Sequence, residues 1–458
     1  MTEDLPVWRN RCPGDLAADF PETVADDVPA AVDRAVRAFP GWRKLSLPDR
    51  RTLLTRCREG IDAEREELAA LIAREVGKPL REARLEVAAV IAKFDLTFAD
   101  ADLHAADHTI SDGPHPALVR RRPRGPAAVI APFNFPIHLG HGAALAYLLG
   151  GNTVLFKPSP LASNVGAAYG RIMRSALPDG VFQIVQGGGG TGRNLCLHPA
   201  VRSVCFTGSV PVGTELAREL AGDYSKSLAL ELGGMNALIV CDDADPAEAA
   251  EAAADGVCLT TGQRCNATSR ILVHRAVEAA FTEHFLRALE RYQPGDPRLE
   301  QTRLGPLVSA RSVDRFRRLA EAAGDWILPG SVVPEVDGRA GYYVTPAVER
   351  LSGPAPARAG EAFSPVVTLE VCSGVAEMVS RHESGEFGLT ASVFTASDAT
   401  FRGFAETLVV GNLYRNLATT FSPSTLPFGG LKASGNGRPG GRGFIRFAVD
   451  EQSVQWKA

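Results

Sequence analysis

The chain has 458 residues, of which 45% are hydrophobic and 22% are charged, and its formal net charge is −4 at pH 7. This length exceeds what one hydrophobic core usually supports, so we expect two or three domains. The slight negative charge excludes a generally basic protein, and we expect neither nucleic acid nor a membrane among its partners.

The start of the chain and its cysteines indicate a compartment. Residues 1–6 lack the basic and apolar regions of a secretory signal, and no apolar run approaches the roughly 20 residues that span a bilayer. The sequence has no Cys-x-x-Cys pair, which argues against a structural zinc site and a disulfide framework. We therefore expect a cytoplasmic protein without a bound metal. The eight cysteines are Cys12, Cys57, Cys196, Cys205, Cys241, Cys258, Cys265 and Cys372.

Residues from about 27 to 99 are predicted to form a bundle of helices. Apolar side chains recur at helical spacing in this stretch, as at Val32 and Ala35. Proline and glycine are expected to separate one helix from the next. The expected breaks are Pro40-Gly41 and Gly77-Lys78-Pro79.

From Pro126 onwards short β-rich runs alternate with helical segments. This alternation predicts parallel βαβ units in a doubly wound sheet. A second α/β run follows from about Asn236 to Pro427. We therefore predict an α/β fold with a doubly wound parallel-sheet domain and a second α/β domain. The candidate strands are Ala127–Ala131, Thr153–Phe156, Phe182–Val185, Ser203–Phe206, Leu228–Leu230 and Ala237–Cys241.

Two reactive side chains stand in unusual surroundings. Glu231 ends an alternating apolar run and is followed by Leu232-Gly233-Gly234, and Cys265 stands 34 positions later in Gly262-Gln263-Arg264-Cys265. A carboxylate is rarely buried without a function, although a solvent-facing strand end would also explain Glu231. The polar context of Cys265 is wrong for a core cysteine. Both residues are therefore candidates for catalysis.

These two motifs and their spacing resemble the aldehyde dehydrogenase superfamily, and the resemblance covers roughly residues 30–458. It implies that the Cys265 thiolate attacks an aldehyde, that NAD or NADP accepts hydride, and that Glu231 activates the water that releases the acid. It also places Cys265 in a loop beside a helix start. Asn134, in Ala131-Pro132-Phe133-Asn134, would complete the oxyanion hole with the backbone N–H of Cys265, although turn chemistry alone also explains this asparagine.

The resemblance implies a set of cofactor contacts at the ends of the predicted strands. Lys157 and Ser159 follow one strand, where a doubly wound sheet binds nucleotides, and the lysine would bond ribose. Gly208 and Gly213 resemble a phosphate turn that opens a helix. The full set of predicted contacts is Pro132, Phe133, Lys157, Ser159, Gly208, Ser209, Gly213, Leu232, Gly233, Glu361 and Phe363.

Pro160 departs from the pattern of the NAD-preferring relatives, which usually carry glutamate after the Lys-Pro-Ser motif. Such a glutamate accepts a hydrogen bond from the ribose 2′-hydroxyl and repels a 2′-phosphate. Proline does neither, so the sequence leaves both NAD and NADP as candidate cofactors.

The resemblance also implies a division of the chain into three parts. Residues 1–101 and 125–233 would form the nucleotide-binding domain with its N-terminal helices, and residues 234–428 the catalytic domain. Residues 102–124 and 429–458 would form a small β excursion that bridges subunits. We therefore expect a homodimer or a homotetramer.

Three stretches resemble the succinylglutamate semialdehyde dehydrogenases of arginine catabolism: Gly262–Cys265, Pro427–Asn436 and Gly437-Arg438-Pro439. The predicted substrate is therefore N-succinylglutamate 5-semialdehyde, which carries two carboxylates besides its aldehyde. Arg264 and Arg438 are candidate carboxylate ligands, although surface or subunit-bridging roles explain them equally well. Another small or acidic semialdehyde is the alternative substrate.

Other functions are weighed against this one. An acylating or phosphate-dependent relative would release the thioester to CoA or phosphate, but such relatives commonly lack the base that Glu231 offers. A catalytically silent protein could retain the fold, yet all three candidate catalytic residues are present. His138 and His141 could suggest a metal pair, but no third ligand stands nearby in the sequence.

Overall fold

The computed structural model describes residues 7–111, 115–351 and 360–457. The predicted domain and bridging segments extend beyond these residues at 1–6, 112–114, 352–359 and 458. Helices and parallel strands alternate over most of the described chain, which confirms the predicted α/β class.

Four helices precede the first large sheet, as the apolar periodicity predicts. The second begins with a capping box in which Ser46 and Asp49 exchange hydrogen bonds, and the third ends at Gly77 with φ of 76°. The predicted break at Pro40-Gly41 is wrong, because the first helix continues through Pro40. Its last turn is held by Trp42, whose buried indole N–H donates to the Leu148 carbonyl at 3.1 Å. The four helices are Val28–Trp42, Leu47–Ala63, Arg65–Val76 and Leu80–His104.

The first large sheet contains five parallel strands and one antiparallel edge strand among the residues described. The chain starts in the middle of this sheet, moves to one edge, and then returns to build the other half. Such a reversal creates a crevice at the carboxyl ends of the two central strands, which is where doubly wound sheets bind ligands. The strands in spatial order are Gly435–Asn436, Ser227–Glu231, Ser203–Thr207, Ala127–Ile130, Val154–Lys157 and Phe182–Ile184.

Helices cover both faces of the first sheet. Along the central strand, Ala127 and Val129 pack into the core beneath the second, third and fourth helices, while Ala128 packs on the opposite face with the first helix. Val154 and Leu155 divide between the two faces in the same way. This alternation buries both faces and leaves the strand ends as the accessible edge. The remaining helices of this part are His138–Leu149, Ser163–Ala176, Gly189–Leu197 and Val210–Leu220, with a short 3₁₀ helix at Pro160–Ala162.

The second large sheet has seven strands in the described part of the chain, and only its first edge strand is antiparallel. Its strands in spatial order are Asp325–Leu328, Ala347–Leu351, Val366–Cys372, Thr268–His274, Asn236–Val240, Thr390–Phe394 and Asn412–Arg415. Its helices are Pro246–Cys258, Glu278–Leu289, Ala310–Ala320, Val375–Glu383 and Asp398–Thr407, and the 3₁₀ helix Leu259–Gly262 leads towards Cys265.

A separate antiparallel sheet joins Val449–Gln455, Ala117–Pro123 and His108–Ile110. It connects the two segments predicted to bridge subunits, residues 102–124 and 429–458.

The remaining strands of the described chain form short two-stranded ribbons, and a 3₁₀ helix spans Phe444–Arg446. The ribbons pair Val7–Trp8 with Thr23–Val24, Arg11–Cys12 with Asp15–Asp19, Val332–Val336 with Arg339–Val344, Phe387–Gly388 with Leu431–Lys432, and Pro427–Phe428 with Gly440–Gly441.

Candidate active site

Glu231 lies at the carboxyl end of its strand in the first sheet, paired in register with Thr207. Its side chain is buried, with 2% exposure of the residue, which excludes the solvent-facing alternative. Within the described residues neither carboxylate oxygen has a hydrogen-bond partner of good geometry. Burial raises the pKa of Glu231 to about 8, opposed by the Gly430 N–H and the charge of Arg438. The carboxyl group is therefore mostly protonated at pH 7 and gains its carboxylate form as the pH rises through about 8, which suits a general base that works at neutral to slightly alkaline pH.

Cys265 lies in a turn between the 3₁₀ helix Leu259–Gly262 and the strand Thr268–His274. The expectation of a helix start beside this cysteine is wrong for the local chain, because Cys265 follows the end of a helical segment. Burial raises the pKa of its thiol well above the usual range, and the charges of Glu231 and Glu361 add to this effect. The charge of Arg264 and the Asn266 N–H lower the pKa. The Arg264 charge and the Asn266 N–H are thus the groups that favour the thiolate.

Two glycines bring the Glu231 strand close to the cysteine loop. A Cβ atom at Gly233 would lie 2.4 Å from a carboxylate oxygen of Glu361, and one at Gly234 would lie 2.9 Å from the Cys265 carbonyl oxygen. A side chain at either position would displace one of these groups. The glycines that follow Glu231 thus permit a backbone approach that no other residue allows.

Asn236 anchors the cysteine loop and was missed in the sequence. Its amide donates to the Cys265 carbonyl at 2.8 Å and to the Ala267 carbonyl at 2.9 Å. Its amide oxygen accepts from the Thr390 N–H and hydroxyl, at 3.1 and 3.0 Å. The sequence feature that could have identified Asn236 is its position directly after Gly233-Gly234-Met235, where the chain passes from the first sheet to the second.

Asn134 is buried, with 3% exposure, in the segment that follows the central strand. Its two neighbours in the chain contact two other segments of the site. The Phe133 ring packs edge-to-face on Phe363 at 5.7 Å, and the Phe135 ring lies 5.1 Å below the Arg264 guanidinium. Asn134 therefore lies between the loop that carries Glu361 and the loop that carries Cys265.

The other predicted cofactor residues also collect at the carboxyl edge of the first sheet. Gly208 and Ser209 end one strand, and the helix Val210–Leu220 begins directly after them without a side-chain hydrogen bond from Ser209 to its first turn. A Cβ atom at Gly213 would lie 2.5 Å from the Leu232 side chain, so helix and strand end pack closely. Lys157 is buried, and its ammonium donates to the Pro158 carbonyl at 3.0 Å.

This edge suits a dinucleotide. The free N–H groups at the start of Val210–Leu220 and the helix dipole favour a pyrophosphate. Glu361 is half-buried, its pKa is raised to about 8 mainly by the loss of solvent around the carboxyl group, and the Gly234 N–H donates to it at 3.4 Å. Such a carboxyl is suited to accept hydrogen bonds from ribose hydroxyls.

Pro160 opens the 3₁₀ helix Pro160–Ala162, directly after Ser159, which caps it through the Leu161 N–H at 3.3 Å. The Pro160 carbonyl accepts from the Trp8 indole at 3.0 Å and from the Asn10 amide at 2.9 Å. The backbone here is therefore held by contacts that do not involve the proline ring.

The two candidate substrate arginines differ in their surroundings. Arg264 pairs with buried Glu82 at 2.9 Å and lies on Phe135. Arg438 donates through one terminal nitrogen to the Gly411 carbonyl at 2.6 Å and the Pro427 carbonyl at 3.1 Å. Its Nε is buried and has no hydrogen-bond partner among the described residues.

The sequence analysis did not identify Tyr414, which lies in the edge strand Asn412–Arg415 of the second sheet. The residue is 6% exposed, its ring packs edge-to-face on Phe421 at 5.7 Å, and its hydroxyl finds no partner in the described part of the chain. Burial raises the pKa of this hydroxyl, with the Cys265 charge adding to the effect and that of Arg438 opposing it. Tyr414 is therefore a further candidate residue of this site.

No metal centre emerges from the described residues. Nowhere in them do three or more His, Cys, Asp or Glu side chains gather as a metal site would require. His141 donates or accepts at 2.8 Å with the Tyr169 hydroxyl, and burial lowers the pKa of His138 to about 3. A search of the described helices also finds none long and apolar enough to cross a membrane.

Sequence comparison links this arrangement to known proteins. The profile of the aldehyde dehydrogenase family matches residues 5–454. The chain is 34% identical over 443 residues to N-succinylglutamate 5-semialdehyde dehydrogenase 1 of Caulobacter vibrioides, covering 96% of this chain and 93% of that protein. It is also 34% identical over 438 residues to 4-trimethylaminobutyraldehyde dehydrogenase B of Danio rerio, covering 93% of this chain and 84% of that protein.

Structural comparison agrees. The crystal structure of an NAD-dependent aldehyde dehydrogenase from Sinorhizobium meliloti matches with a TM-score of 0.93 at 30% identity, over 98% of this chain and 91% of that one. A half-buried thiol and a buried carboxyl beside the carboxyl edge of a doubly wound sheet fit the class of nicotinamide-dependent dehydrogenases. The chain belongs to the aldehyde dehydrogenase family, and it is an oxidoreductase that acts on aldehydes with NAD or NADP.

Proposed function

We propose that the protein oxidises its aldehyde to a carboxylic acid by the hydrolytic route, with Cys265 as nucleophile. The thiolate adds to the aldehyde carbon and forms a thiohemiacetal, while the Asn134 amide and the Cys265 backbone N–H donate to its oxygen. Loss of hydride from the same carbon leaves a thioester. Glu231 then takes a proton from water, the water attacks the thioester, and the acid leaves as the thiolate is restored.

The nicotinamide supplies the hydride acceptor. The chain's own contribution is to hold the dinucleotide along the carboxyl edge of the first sheet. We assign the pyrophosphate to Gly208, Ser209 and the helix start at Val210, and the ribose hydroxyls to Lys157 and Glu361. Pro132, Phe133, Ser159, Gly213, Leu232, Gly233 and Phe363 complete the proposed contacts.

Glu231 supports the hydrolytic route over transfer to CoA or phosphate. A buried carboxyl whose pKa is raised to about 8 by burial is suited to deprotonate water near neutral pH. Transfer to CoA or phosphate would not need this group. Its position close to the Cys265 loop is the arrangement that hydrolysis of a thioester requires.

The substrate that we propose is N-succinylglutamate 5-semialdehyde. The observation that carries this choice is a pair of buried donors without partners among the described residues, the Arg438 Nε and the Tyr414 hydroxyl. Buried polar groups are normally paired, and a substrate carboxylate would satisfy both. The likeness to the Caulobacter vibrioides enzyme of that name adds support. Another acidic semialdehyde is the alternative.

A panel of aldehydes tests the function. NADH and NADPH formation is followed by absorbance with N-succinylglutamate 5-semialdehyde, shorter acidic semialdehydes, a neutral aliphatic aldehyde and 4-trimethylaminobutyraldehyde. We expect the highest kcat/KM for the succinylglutamate compound. A preference for the cationic or the neutral aldehyde would contradict the proposed substrate. Absence of turnover with every aldehyde, together with an unreactive Cys265, would indicate a silent protein.

Replacing Arg438 with methionine is expected to lower kcat/KM for acidic aldehydes more than for neutral ones. Methionine keeps much of the apolar stem and removes the charged donors. A charge-assisted contact contributes roughly 1.5–3 kcal/mol, so kcat/KM for the dianionic substrate should fall by about one to two decades. Arg415→Met is the control, because Arg415 pairs with Asp398. Equal losses on acidic and neutral aldehydes would identify Arg438 as a structural residue.

Replacing Pro160 with glutamate is expected to shift preference towards NAD. The wild type should use NAD and NADP within about one decade, since one exchanged hydrogen bond contributes roughly 0.5–1.5 kcal/mol. The carbonyl bonds from Trp8 and Asn10 do not depend on the ring, so the backbone should tolerate the change. KM for both nucleotides at saturating aldehyde is the measurement. A wild type that rejects NADP by three decades would contradict this prediction.

The domain division and the assembly follow from the same proposal. We assign residues 1–101 and 125–233 to cofactor binding, residues 234–428 to catalysis, and residues 102–124 and 429–458 to contacts between subunits. The antiparallel sheet of Val449–Gln455 and Ala117–Pro123 supports the third assignment. Light scattering of the purified protein should show a dimer or a tetramer.

A further inference from the structure

Glu82 connects the N-terminal helices to the cysteine loop. It lies in the first turn of the helix Leu80–His104, and its side chain is 3% exposed. Its carboxylate accepts from the Thr260 N–H at 2.9 Å, from the Thr260 hydroxyl at 2.8 Å and from the Arg264 guanidinium at 2.9 Å. Within the described part of the chain, this buried carboxylate accepts hydrogen bonds from one short segment, Thr260 to Arg264, which directly precedes Cys265.

Thr260 and Arg264 are also bonded to each other. The Arg264 Nε donates to the Thr260 hydroxyl at 2.9 Å, so the hydroxyl accepts from the arginine and donates to Glu82. The three side chains form a closed triangle of hydrogen bonds. The Phe135 ring, 5.1 Å from the guanidinium, covers one face of the arginine. Arg264 is therefore held at two nitrogens and on one face.

The loop that this triangle holds is strained. Thr260 and Thr261 have φ of 53° and 56°, in the left-handed region that β-branched residues avoid. Such backbone persists only where its surroundings hold it. Glu82 binds the first of these threonines, and the Thr261 hydroxyl donates to the Gly305 carbonyl at 2.9 Å. Release of Glu82 would allow the segment before Cys265 to relax.

Arg264 directly precedes Cys265 in the chain, and the triangle fixes where its positive charge lies relative to the thiol. Burial and the charges of Glu231 and Glu361 raise the pKa of Cys265, whereas the Arg264 charge lowers it. The thiolate that the proposed mechanism needs is therefore favoured only while the guanidinium keeps its place. A guanidinium that moves towards solvent would lose most of this effect through screening.

We propose that Glu82 is a positioning residue, which acts through Thr260 and Arg264 to hold the guanidinium beside Cys265 and keep the nucleophile reactive. This rests on the proposed role of Cys265. It assigns Arg264 to the nucleophile and not to a substrate carboxylate. The two roles predict different behaviour, since a nucleophile-directed arginine affects every aldehyde alike.

The rate of Cys265 alkylation by iodoacetamide across pH, followed on the Cys265 peptide by mass spectrometry, tests the proposal. Glu82→Gln keeps the shape of the side chain but removes the charge that holds Arg264. We expect the midpoint of the pH profile to rise by about one unit, or roughly tenfold slower alkylation at neutral pH. Arg264→Met should show a similar rise, and the double variant should show no more than Arg264→Met alone.

Glu370→Gln is the matched control, because buried Glu370 also accepts from an arginine, Arg270, at 2.8 Å. Its alkylation profile should equal that of the wild type. If Glu82→Gln does not fold, two variants of Thr260 take its place in the experiment. Thr260→Val removes the bridging hydroxyl, whereas Thr260→Ser keeps it. The valine variant should show the raised midpoint and the serine variant should not.

An unchanged or lowered midpoint in Glu82→Gln, or in Thr260→Val, would overturn the proposal. Steady-state rates give a second test, in which kcat/KM of Glu82→Gln and Arg264→Met should fall by the same factor for acidic and neutral aldehydes. A loss confined to acidic aldehydes would make Arg264 a substrate ligand and also overturn it. A shifted alkylation profile with unchanged turnover would support the triangle and reject Cys265 as the nucleophile.

Discussion

Cys265→Ser is expected to abolish aldehyde oxidation while the protein still folds and binds nucleotide. Serine is a far weaker nucleophile, because its hydroxyl is hardly ionised at neutral pH unless a dedicated base removes its proton. The expected loss in kcat is on the order of 10⁴-fold or more, the scale seen when a catalytic nucleophile is removed. Steady-state rates and a nucleotide-binding titration of the same preparation measure both parts.

Cys258→Ser is the control for this experiment. Cys258 is a fully buried cysteine at the end of the preceding helix, and it packs among apolar side chains. Its replacement should lower stability by an amount typical of a buried polar substitution and leave turnover in place. Retained turnover in Cys265→Ser would reject the covalent mechanism.

Glu231→Gln is expected to separate the two halves of the reaction. Formation of NAD(P)H needs only the thiohemiacetal, so the first turnover should survive as a burst. The Glu231 charge raises the pKa of Cys265, and its removal should not slow the attack of the thiolate. Hydrolysis of the thioester should then become slow. Rapid-mixing absorbance would show a burst of one equivalent per site followed by a low steady rate.

The pH dependence of the wild type provides the companion measurement. Because burial raises the pKa of Glu231 to about 8, the carboxylate form that accepts a proton from water increases as the pH rises through this value. Where hydrolysis limits the rate, kcat should rise with pH, with a midpoint near pH 8, and then level off. This limb should vanish in Glu231→Gln. Unchanged steady-state turnover of that variant would reject Glu231 as the base.

Much of the fold could be predicted because its signals are local. The five parallel strands of the first sheet begin and end within one residue of the predicted bounds, since buried parallel strands are short apolar runs between glycine- and proline-rich turns. The antiparallel edge strand Gly435–Asn436 was not predicted. The error at Pro40-Gly41 arose because a tertiary contact, the buried indole of Trp42, sustains a last turn that proline weakens. Local propensity does not report such contacts.

The sequence by itself determined the family, the α/β class and the candidate residues Cys265, Glu231 and Asn134, because these are carried by motifs and by their spacing. Only the tertiary structure decided the environment of each side chain. Glu231 is buried by segments that are distant in the sequence. In the Glu82–Thr260–Arg264 triangle, Glu82 and Arg264 are 182 positions apart. The pKa of a carboxyl or a thiol depends on solvent exclusion and on charges a few ångströms away, and those neighbours are set by the packing of distant segments.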